Sequence, residues 1–327
     1  SFVERGGHSQ VLTFPDAPFT SYFSGNTVQI CPVGALTAKP YRFRSRPWDL
    51  AGAETSCQVC SVGCRGALQS STDVPVRFLG VDSEAVNHGW LCDKGRFGFE
   101  YLRAEHRVTA PMVRKSGELV EVSWPEALDA AADRLREAAR LHGPESVAVL
   151  GGARGMNEDA YLWARFAKGV LRTDNVDCQL GDGLPAEVIQ GLPRATIADC
   201  DRARAIILLG PDLKEELPVL YLRVRRAAVD LGVPLVDVAA RDHGLTDHAV
   251  SRLRHLPGDQ VSVVDRLWRA FADGAATGDA ELDAAVAALG SDRDGDVVVV
   301  LGRPSLAERA DGVVRAAAKL AEIPGVR

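Results

Sequence analysis

Four cysteines in two short segments constrain this chain more than any other feature. Cys57, Cys60 and Cys64 form a C-x2-C-x3-C motif, and Cys92 stands further along in the string L-C-D-K-G-R. Gly63 lies inside the first loop, where a glycine lets the backbone bend around a bulky inorganic group. Three thiolates on one loop and a fourth from a distant turn are typical of a [4Fe-4S] cluster. We therefore predict that these four residues bind such a cluster, whose chemistry is electron transfer.

Two other uses of four cysteines stay open. Zn2+ also takes four thiolates, but its usual signature is two paired C-x2-4-C knuckles, and Cys92 has no cysteine near it in the sequence. Disulfides are typical of small secreted scaffolds, whereas this chain has only 7 cysteines in 327 residues. The spacing thus favours the cluster over a structural zinc site or disulfide bonds.

The composition is that of a folded protein with more than one domain. With 327 residues and 46% hydrophobic content, the chain can bury a substantial core, and its length predicts about two domains. The formal net charge of -6 argues against a dedicated nucleic-acid-binding protein, which normally carries a basic excess. One basic and aromatic stretch, residues 39–48, is interpreted as a solvated linker or a contact with a protein partner.

Contact with a membrane is expected only through partner proteins. The longest apolar runs, residues 205–210 and 297–302, are far shorter than the roughly 20 residues that a membrane-spanning helix needs. The chain begins with S-F-V-E-R, without an initiator methionine or the basic and apolar regions of a signal peptide. We expect it to be an internal fragment of a longer protein.

Changes of pattern along the chain predict three regions. Residues 1–50 have few periodic segments and many turn-forming residues. Residues 51–107 hold the four cysteines, with a short strand predicted at residues 76–81, and form a small cluster-binding module. Residues 108–327 form a packed α/β domain.

The third region alternates strand and helix patterns. Ser123 and Glu126 form an S-x-x-E capping box, which opens a helix that runs through residue 141. Further apolar and amphipathic runs predict strands at residues 147–150, 205–209, 234–238 and 297–301, and helices at residues 158–170, 217–231 and 306–321. This alternation is typical of a parallel sheet covered by helices. An Ala- and Asp-rich stretch at residues 273–283 is interpreted as a surface loop.

Two glycine-containing loops follow predicted strands, at residues 151–155 and 210–212. Ligands of parallel sheets bind at such carboxyl ends. Neither loop matches G-x-G-x-x-G or the P-loop, and Asp212 would place a negative charge against a phosphate. We interpret both loops as turns from strand to helix.

The four-cysteine motif and the α/β pattern together resemble the molybdopterin oxidoreductase family with its amino-terminal [4Fe-4S] module. The match spans residues 51–260. Besides the string C-D-K-G-R-F that begins at Cys92, it includes strings at residues 157–161, 173–177, 208–210, 218–220 and 257–259. The resemblance implies an α/β fold class, in which a small [4Fe-4S] module precedes a doubly wound parallel-sheet domain. We expect that domain, residues 108–327, to be incomplete in this chain.

Residues 23–37 resemble one branch of this family, the large iron-sulfur subunit of bacterial NADH:quinone oxidoreductase, or complex I. The string C-P-V-G-A-L, which begins at Cys31, is similar to ferredoxin motifs. In that branch the matching cysteine is the fourth ligand of a separate [4Fe-4S] cluster, whose other three ligands come from an upstream C-x2-C-x2-C that is absent here. The resemblance implies that residues 1–50 are the tail of a ferredoxin-like domain. Cys31 would then bind a second [4Fe-4S] cluster only in the full-length subunit.

The resemblance implies an electron-transfer subunit that passes electrons from NADH and FMN toward quinone. Its partners would be the other subunits of the peripheral arm, including the NADH/FMN subunit, on the cytoplasmic face of the bacterial plasma membrane. In that branch a four-cysteine cluster of this kind lies away from the main electron path, which leaves a structural role open. No residue is expected to act as an acid, a base or a nucleophile. Cys200 and the histidines, among them His8, His88 and His106, are interpreted as structural.

A molybdopterin-dependent oxidoreductase, such as formate dehydrogenase, is the main competing function. The pterin-phosphate motifs G-x-N and D-P-R of those enzymes are altered here to G-P-D at residues 210–212 and to A-A-R-D at residues 239–242. Cys178 is the only thiol near the position of the usual metal ligand. We therefore expect no molybdopterin. Lys94, which lies between cluster and pterin in those enzymes, is interpreted as a lysine whose charge favours the anionic cluster.

Overall fold

A computed structural model describes residues 2–14, 16, 19–152, 154–178, 184–185, 190–290, 294–302 and 310–327. The chain divides into two compact units, which are residues 1–100 with 183–327, and residues 101–182. Parts of three predicted segments lie outside the described residues: residue 153 of the first glycine loop, residues 179–183 after Cys178, and residues 306–309 of the last predicted helix.

The first hundred residues form small antiparallel sheets and two short helices. The strands and helices are β1 (Phe2–Val3), β2 (Gln10–Val11), α1 (Ser24–Ile30), β3 (Ala51–Ser56), β4 (Arg65–Ser71), β5 (Val74–Gly80) and α2 (Asp93–Arg96). β1 pairs with β2, and β3, β4 and β5 form an antiparallel sheet in that order. Thr72 and Asp73 turn the chain between β4 and β5 with left-handed backbone angles, which suits a tight hairpin.

The second unit holds a hairpin, two longer helices and a short parallel pair. Its elements are β6 (Met112–Lys115), β7 (Glu118–Glu121), α3 (Trp124–His142), β8 (Val149–Leu150), α4 (Asn157–Arg165), a π-helix (Phe166–Leu171) and β9 (Val176–Asp177). The Ser123 hydroxyl accepts a hydrogen bond from the Glu126 N–H at 3.4 Å, as an N-cap does. The helix predicted from this capping box is therefore confirmed.

A four-stranded parallel sheet forms the larger part of the first unit. Its strands are β10 (Ala205–Leu209), β11 (Leu235–Ala239), β12 (Ser251–Arg254) and β13 (Val297–Leu301). They stand in the order β12-β11-β10-β13, and every neighbouring pair is parallel. The chain adds β11 and β12 on one side of β10 and then returns to place β13 on the other side. The sheet is therefore doubly wound, and its order reverses between β10 and β13.

Helices cover both faces of this sheet. They are α5 (Leu213–Glu216), α6 (Pro218–Val229), α7 (Gln260–Asp273), α8 (Ala280–Leu289) and α9 (Ala310–Leu320). Alternate residues of β10 point to opposite faces, so that Ile207 packs in the core with α7, α8 and α9, and Ile206 packs in the core with α5 and α6. Because both faces are covered, every residue of β10 and β11 is buried.

Short 3-10 helices of three or six residues join several of these elements. They are Gly6–His8, Pro47–Asp49, Gly98–Arg103, Pro144–Ser146, Ile197–Arg202 and Thr246–His248. None of the helices in the described ranges combines the length and the apolarity that crossing a bilayer requires.

The predicted α/β fold with a parallel sheet is confirmed, and β10 and β13 have the predicted bounds. The strand predicted at residues 147–150 is β8, which pairs with β9 instead of joining the four-stranded sheet. The loop predicted at residues 273–283 is wrong in part, because α8 begins at Ala280 and buries Leu282 and Ala285 in the core. Helix α1 was not predicted, since its buried residues are Gly25 and Asn26 rather than an apolar stripe.

Candidate iron-sulfur centre

The loop between β3 and β4 carries the first three cysteines. The antiparallel pair of Ser56 and Arg65 closes this loop, and the Cys57 N–H donates to the Cys64 carbonyl at 2.8 Å. Gly63 has a φ of +63° and its N–H lies 3.4 Å from the Cys60 carbonyl. A left-handed residue at this point turns the chain tightly between Cys60 and Cys64.

The fourth cysteine arrives at the start of α2. Cys92 is the N-cap of this one-turn helix, and its sulfur accepts a hydrogen bond from the Gly95 N–H at 3.4 Å. Cys64 and Cys92 are buried, whereas Cys57 and Cys60 are partly buried. The neighbouring Leu91 is fully buried, so this turn is anchored in the module by an apolar side chain.

Because Gly95 has no side chain, the sulfur atoms of Cys57 and Cys92 can lie beside its Cα. A Cβ at this position would lie 2.8 Å from the Cys57 sulfur and 3.7 Å from the Cys92 sulfur. The two cysteines come from different loops, and both sulfur atoms lie next to the backbone of α2 at Gly95. Residue 95 therefore has no room for a side chain if the thiols are to converge.

Three of the four thiols lie where ionisation is disfavoured. Burial raises the pKa of Cys64 to about 12, and charge on Cys57, Cys60 and Cys92 contributes to this increase. Burial is also the main cause that raises the pKa of Cys57 and of Cys92, with contributions from the other cysteines. Burial and neighbouring negative charge thus favour the thiol form of Cys57, Cys64 and Cys92. The iron ions of a cluster supply the charge that keeps such ligands as thiolates.

The donor set fits a [4Fe-4S] cluster in number and type, since such clusters are held by four cysteine thiolates. A single Zn2+, with Zn–S bonds of about 2.3 Å, needs its sulfur atoms much closer together than an inorganic cube does. In the described part of the chain, no group of three or more Cys, His, Asp and Glu side chains is spaced for one metal ion.

Two buried asparagines hold the cysteine loops in place. Asn87 accepts from the Arg65 N–H at 2.9 Å and donates to the Arg65 and Trp90 carbonyls, both at 3.1 Å. Asn26 accepts from the Leu91 N–H at 3.1 Å and donates to the Leu91 carbonyl at 2.7 Å. Each asparagine thus fixes the backbone directly beside a cysteine, next to Cys64 or Cys92. Sequence reasoning missed both, because a polar residue that bonds a distant backbone leaves no local pattern.

Helix α1 is docked on the Cys92 turn by polar contacts. Asp93 accepts from the Gly25 N–H at 2.9 Å and from the Ser24 hydroxyl, and the Asp93 N–H donates to the Tyr22 carbonyl at 2.7 Å. Helix α1 ends at Ile30, and Cys31 is its C-cap. The segment of the predicted second cluster ligand is therefore attached to the segment of the fourth cysteine.

Cys31 itself is partly buried at the C-cap of α1. Backbone N–H groups of Val33, Leu36 and Ala35 lower its pKa. Hydrogen bonds of this kind favour the thiolate, which is the form that binds iron. Within the described ranges, Cys31 belongs to no group of metal-binding side chains.

The remaining thiols lie in other surroundings. Cys200 is 2% exposed in the apolar core beside α6, and burial raises its pKa to about 11. This placement agrees with its interpretation as structural. Cys178 is exposed and lies in the second unit.

The carboxyl ends of β10 and β13 meet at the point where the strand order reverses. Gly210 has a φ of +88°, and Pro211 lies where a Cβ on Gly302 would overlap it. The Asp212 carboxylate is 3.9 Å from the Arg241 guanidinium. Pro211 and Asp212 thus occupy the entrance in which ligands of doubly wound sheets bind.

Lys94 points toward the sheet domain and has an acidic partner there. Its ammonium donates to the Glu215 carbonyl at 3.0 Å and lies 3.8 Å from the Glu215 carboxylate. The ring of Tyr22 lies 5.1 Å from it, and the Tyr22 hydroxyl contacts the same carboxylate at 2.9 Å. The charge of Lys94 is therefore balanced by Glu215.

Comparison with known families divides the chain into three matched segments. Residues 1–37 match the family described as NADH-quinone oxidoreductase subunit 3, ferredoxin-like domain. Residues 52–104 match the molybdopterin oxidoreductase Fe4S4 domain, and residues 107–259 match molybdopterin oxidoreductase. The four cysteines lie within the Fe4S4 match.

Curated relatives cover most of this chain. The G subunit of NADH-quinone oxidoreductase from Streptomyces coelicolor is 38% identical over 288 residues, which are 81% of this chain and 34% of the relative. NADH-quinone oxidoreductase subunit 3 of Thermus thermophilus is 36% identical over 233 residues, 71% of this chain and 28% of the relative. The NADPH-Fe(3+) oxidoreductase subunit alpha of Geobacter sulfurreducens is 34% identical over 275 residues, 82% of this chain and 32% of the relative.

This chain spans about a third of the length of these relatives. Along that third, the cluster module, the doubly wound sheet and the order of the matched segments agree with the resemblance inferred from the motifs. The chain belongs to the molybdopterin oxidoreductase family, in the branch that contains the large iron-sulfur G subunit of NADH-quinone oxidoreductase.

Proposed function

We propose that this chain is part of the electron-transfer subunit of a respiratory NADH:quinone oxidoreductase, and that Cys57, Cys60, Cys64 and Cys92 bind one [4Fe-4S] cluster in it. The observation that carries this proposal is the meeting of thiols from two loops over Gly95, where no side chain fits. The match of residues 52–104 to an Fe4S4 domain supports the type of cofactor.

Each part of the site has a task in electron transfer. A bound [4Fe-4S] cluster takes up and releases one electron at a time without making or breaking bonds. The hairpin end and the α2 turn hold the four sulfur atoms, and the Gly95 N–H donates to the Cys92 sulfur. Such N–H···S bonds stabilise negative charge on the ligand and favour the reduced state, while buried Leu91 keeps water away. No acid, base or nucleophile is needed.

The same proposal extends to the regions around the site. Residues 1–50, 51–107 and 108–327 would be the end of a ferredoxin-like domain, the cluster module and a pterin-free α/β domain. Cys31 would be the fourth ligand of a second [4Fe-4S] cluster in the full-length subunit, which the lowered pKa of Cys31 supports. The subunit would lie in the peripheral arm, beside the NADH/FMN subunit, on the cytoplasmic face of the bacterial plasma membrane.

We propose that no molybdopterin is bound. Pro211 lies against Gly302 at the point of strand reversal, and the acidic Asp212 stands beside it. A pterin phosphate placed there would meet a ring and a negative charge instead of backbone N–H donors. This arrangement argues against the competing function as a molybdopterin enzyme such as formate dehydrogenase.

Metal analysis tests this proposal. Anaerobically prepared protein should contain about four irons and four acid-labile sulfides per bound cluster, without molybdenum, and should give an EPR signal at low temperature after dithionite reduction. Zinc without sulfide would show instead that the four cysteines form a structural zinc site. Molybdenum with pterin would move the function to an active site in the α/β domain.

A second candidate function concerns the electron acceptor. The Geobacter sulfurreducens relative, named NADPH-Fe(3+) oxidoreductase subunit alpha, is nearly as similar as the quinone-linked relatives. Rates of the assembled oxidoreductase with NADH and quinone, compared with NADPH and Fe(III), would decide between the two acceptors.

A further inference from the structure

Arg96 is a buried cation close to the cluster site. Its side chain belongs to a residue that is only 4% exposed, at the end of α2. One terminal nitrogen donates to the side-chain amide oxygen of Gln29 (Oε1) at 2.7 Å, and the other donates to the side-chain amide oxygen of Asn26 (Oδ1) at 2.5 Å. Its Nε is buried and has no hydrogen-bond partner among the described residues. The stem lies against Gly25, where any Cβ would overlap it.

None of these partners carries a charge. Asn26 and Gln29 are amides, whereas the charge of Asp93 acts on Arg96 and its carboxylate accepts from the Ser24 hydroxyl and the Gly25 N–H. Burial lowers the pKa of Arg96, and the charges that act in the opposite direction are those of Asp93 and Cys92. A buried guanidinium whose hydrogen bonds go to neutral acceptors is costly, because such acceptors do not replace the lost hydration of the charge.

A bound cluster would supply the missing negative charge. A [4Fe-4S] core with two positive charges and four thiolates carries a net charge of about -2, which becomes about -3 after one electron is added. Arg96 follows Cys92 by one turn of helix, and its N–H donates to the Cys92 carbonyl at 2.9 Å. Arg96 is thus a buried cation of this module whose side-chain hydrogen bonds in the described residues go to neutral amides, and it belongs to the turn that presents a cluster ligand.

We infer that Arg96 is the counterion of the cluster held by Cys57, Cys60, Cys64 and Cys92, and that its buried charge raises the cluster's reduction potential. This inference rests on the proposed cluster site. The positive charge stabilises the reduced cluster more than the oxidised one, since the reduced cluster carries one more negative charge. The effect is strong because the guanidinium is buried, where salt and water screen it little.

Lys94 is the natural control for this inference. It is two residues from Cys92 and also positive, but its side chain is 46% exposed and its charge is balanced by Glu215. Water and the nearby carboxylate both weaken its field at the cluster. The structure thus assigns potential control to Arg96 rather than to Lys94.

The test is a set of redox titrations on the assembled oxidoreductase, in which dithionite reduces the cluster by one electron and EPR measures the reduced form. Arg96→Met removes the charge and keeps the volume, whereas Arg96→Lys keeps the charge. Gln29→Glu leaves Arg96 in place and neutralises it with a carboxylate. Lys94→Met removes the exposed charge. Iron and sulfide are measured first in every variant.

We expect Arg96→Met and Gln29→Glu to lower the equilibrium constant of reduction about tenfold, which is a shift of about 59 mV for one electron. Arg96→Lys and Lys94→Met should shift it much less. An unchanged potential in Arg96→Met or Gln29→Glu at full iron content overturns the inference. So does a Lys94→Met shift that equals the shift of Arg96→Met.

Variants that lose the cluster also test the counterion role of Arg96. Loss from Arg96→Met, with retention in Arg96→Lys, would support the counterion role, because both side chains fill a similar volume and only lysine keeps the positive charge. Loss from Gln29→Glu adds to this only in that pattern, because this change also removes the Gln29 Nε2 donor to the Gly80 carbonyl at 3.0 Å. Loss from all three would overturn it in favour of packing. Absence of iron and sulfide from the unaltered protein would instead refute the cluster site, so the two proposals fail in different ways.

Discussion

At the scale of single residues, the space around a side chain decides what the residue does. Gly95 makes room for the Cys57 sulfur because it has no side chain, since a Cβ at this position would lie 2.8 Å from that sulfur. Cys60 and Cys200 carry the same thiol, yet one lies at the hairpin end among other cysteines and the other in an apolar core. Substitutions at these positions should therefore have different effects on the cluster.

Gly95→Ala should prevent binding of a complete cluster. The added methyl group competes with the Cys57 sulfur for the same volume, so the thiols can no longer converge. Iron and acid-labile sulfide should fall to a small fraction of the unaltered content. Gly52→Ala is the matched control, because a Cβ at Gly52 meets only the Gln69 side chain at an ordinary distance of 3.5 Å. Equal iron content in the two variants would refute the role of Gly95.

Cys60→Ala should abolish the cluster and its EPR signal, whereas Cys200→Ala should keep both. Removing the buried thiol of Cys200 leaves a small cavity, which should lower the free energy of unfolding by about 1 kcal/mol. Metal analysis and urea unfolding of the two variants separate the roles. A cluster that survives in Cys60→Ala with normal electron transfer would show that Cys60 is no ligand.

At the scale of elements, one buried carboxylate organises the connection from β11 to β12. Asp237 is fully buried in β11 and accepts from Thr246 at 2.9 Å, and its oxygens lie 2.8 Å from His243 Nε2 and 3.1 Å from the Arg254 guanidinium. Burial raises its pKa, but the bonds from His243 and Thr246 and the charge of Arg254 together lower it below its ordinary value. The loop is thus held by charge as well as by packing.

This network should make stability depend on pH in the acid range. The folded pKa of Asp237 lies below the unfolded value of about 3.9, so its contribution is fully present above that value and is lost as pH falls through the folded pKa. Asp237→Asn should lower the free energy of unfolding by about 3 kcal/mol at pH 7 and should flatten its decline below about pH 4.

Asp247→Asn provides the control for this prediction. It removes the same charge from the same connection, but its side chain is 93% exposed and lies 3.6 Å from Arg252. Its unfolding curves at every pH should match those of the unaltered chain. If Asp237→Asn were as stable as this control at pH 7, the Asp237 network would not contribute to the free energy of unfolding.

At the scale of the whole molecule, the cluster module and the sheet domain are joined within the first unit by a buried arginine. Arg223 of α6 is 4% exposed and donates to the Glu84 and Val86 carbonyls at 2.8 and 3.1 Å, and to Asp201 at 3.0 Å. The loop that it holds contains Asn87, which fixes the backbone next to Cys64. The sheet domain therefore supports the cluster site from a distance.

Arg223→Met should destabilise the first unit and weaken cluster retention. Two backbone carbonyls and the Asp201 carboxylate lose a buried charged donor, so the free energy of unfolding should fall by about 3 kcal/mol, and iron should be lost faster to a chelator. Arg226→Met is the control, since Arg226 pairs with the same Asp201 at 2.7 Å but is 44% exposed and should cost about 0.5 kcal/mol. Equal rates of iron loss in both variants would contradict this coupling.

Sequence patterns predicted the parts of this fold that repeat locally. β10 and β13 have the predicted bounds because their apolar runs form strands packed between layers of helices, and α3 begins at the predicted capping box. Helix α8 was missed because its alanine-rich sequence acquires a buried face only when α7 and the sheet pack against it. Helix α1 was missed because its contacts are hydrogen bonds to distant backbone.

The sequence by itself determined the donor set that is proposed to bind the cluster, because ligand type and spacing are local properties of the chain. The C-x2-C-x3-C motif and the later cysteine predict the four ligands. The sequence motifs around them indicate the family. Only the tertiary structure decided which other residues serve that chemistry. Gly95, Asn26 and Arg96 act on the site through contacts between segments far apart in sequence. Such contacts arise from folding in three dimensions, so no periodicity or motif along the chain records them.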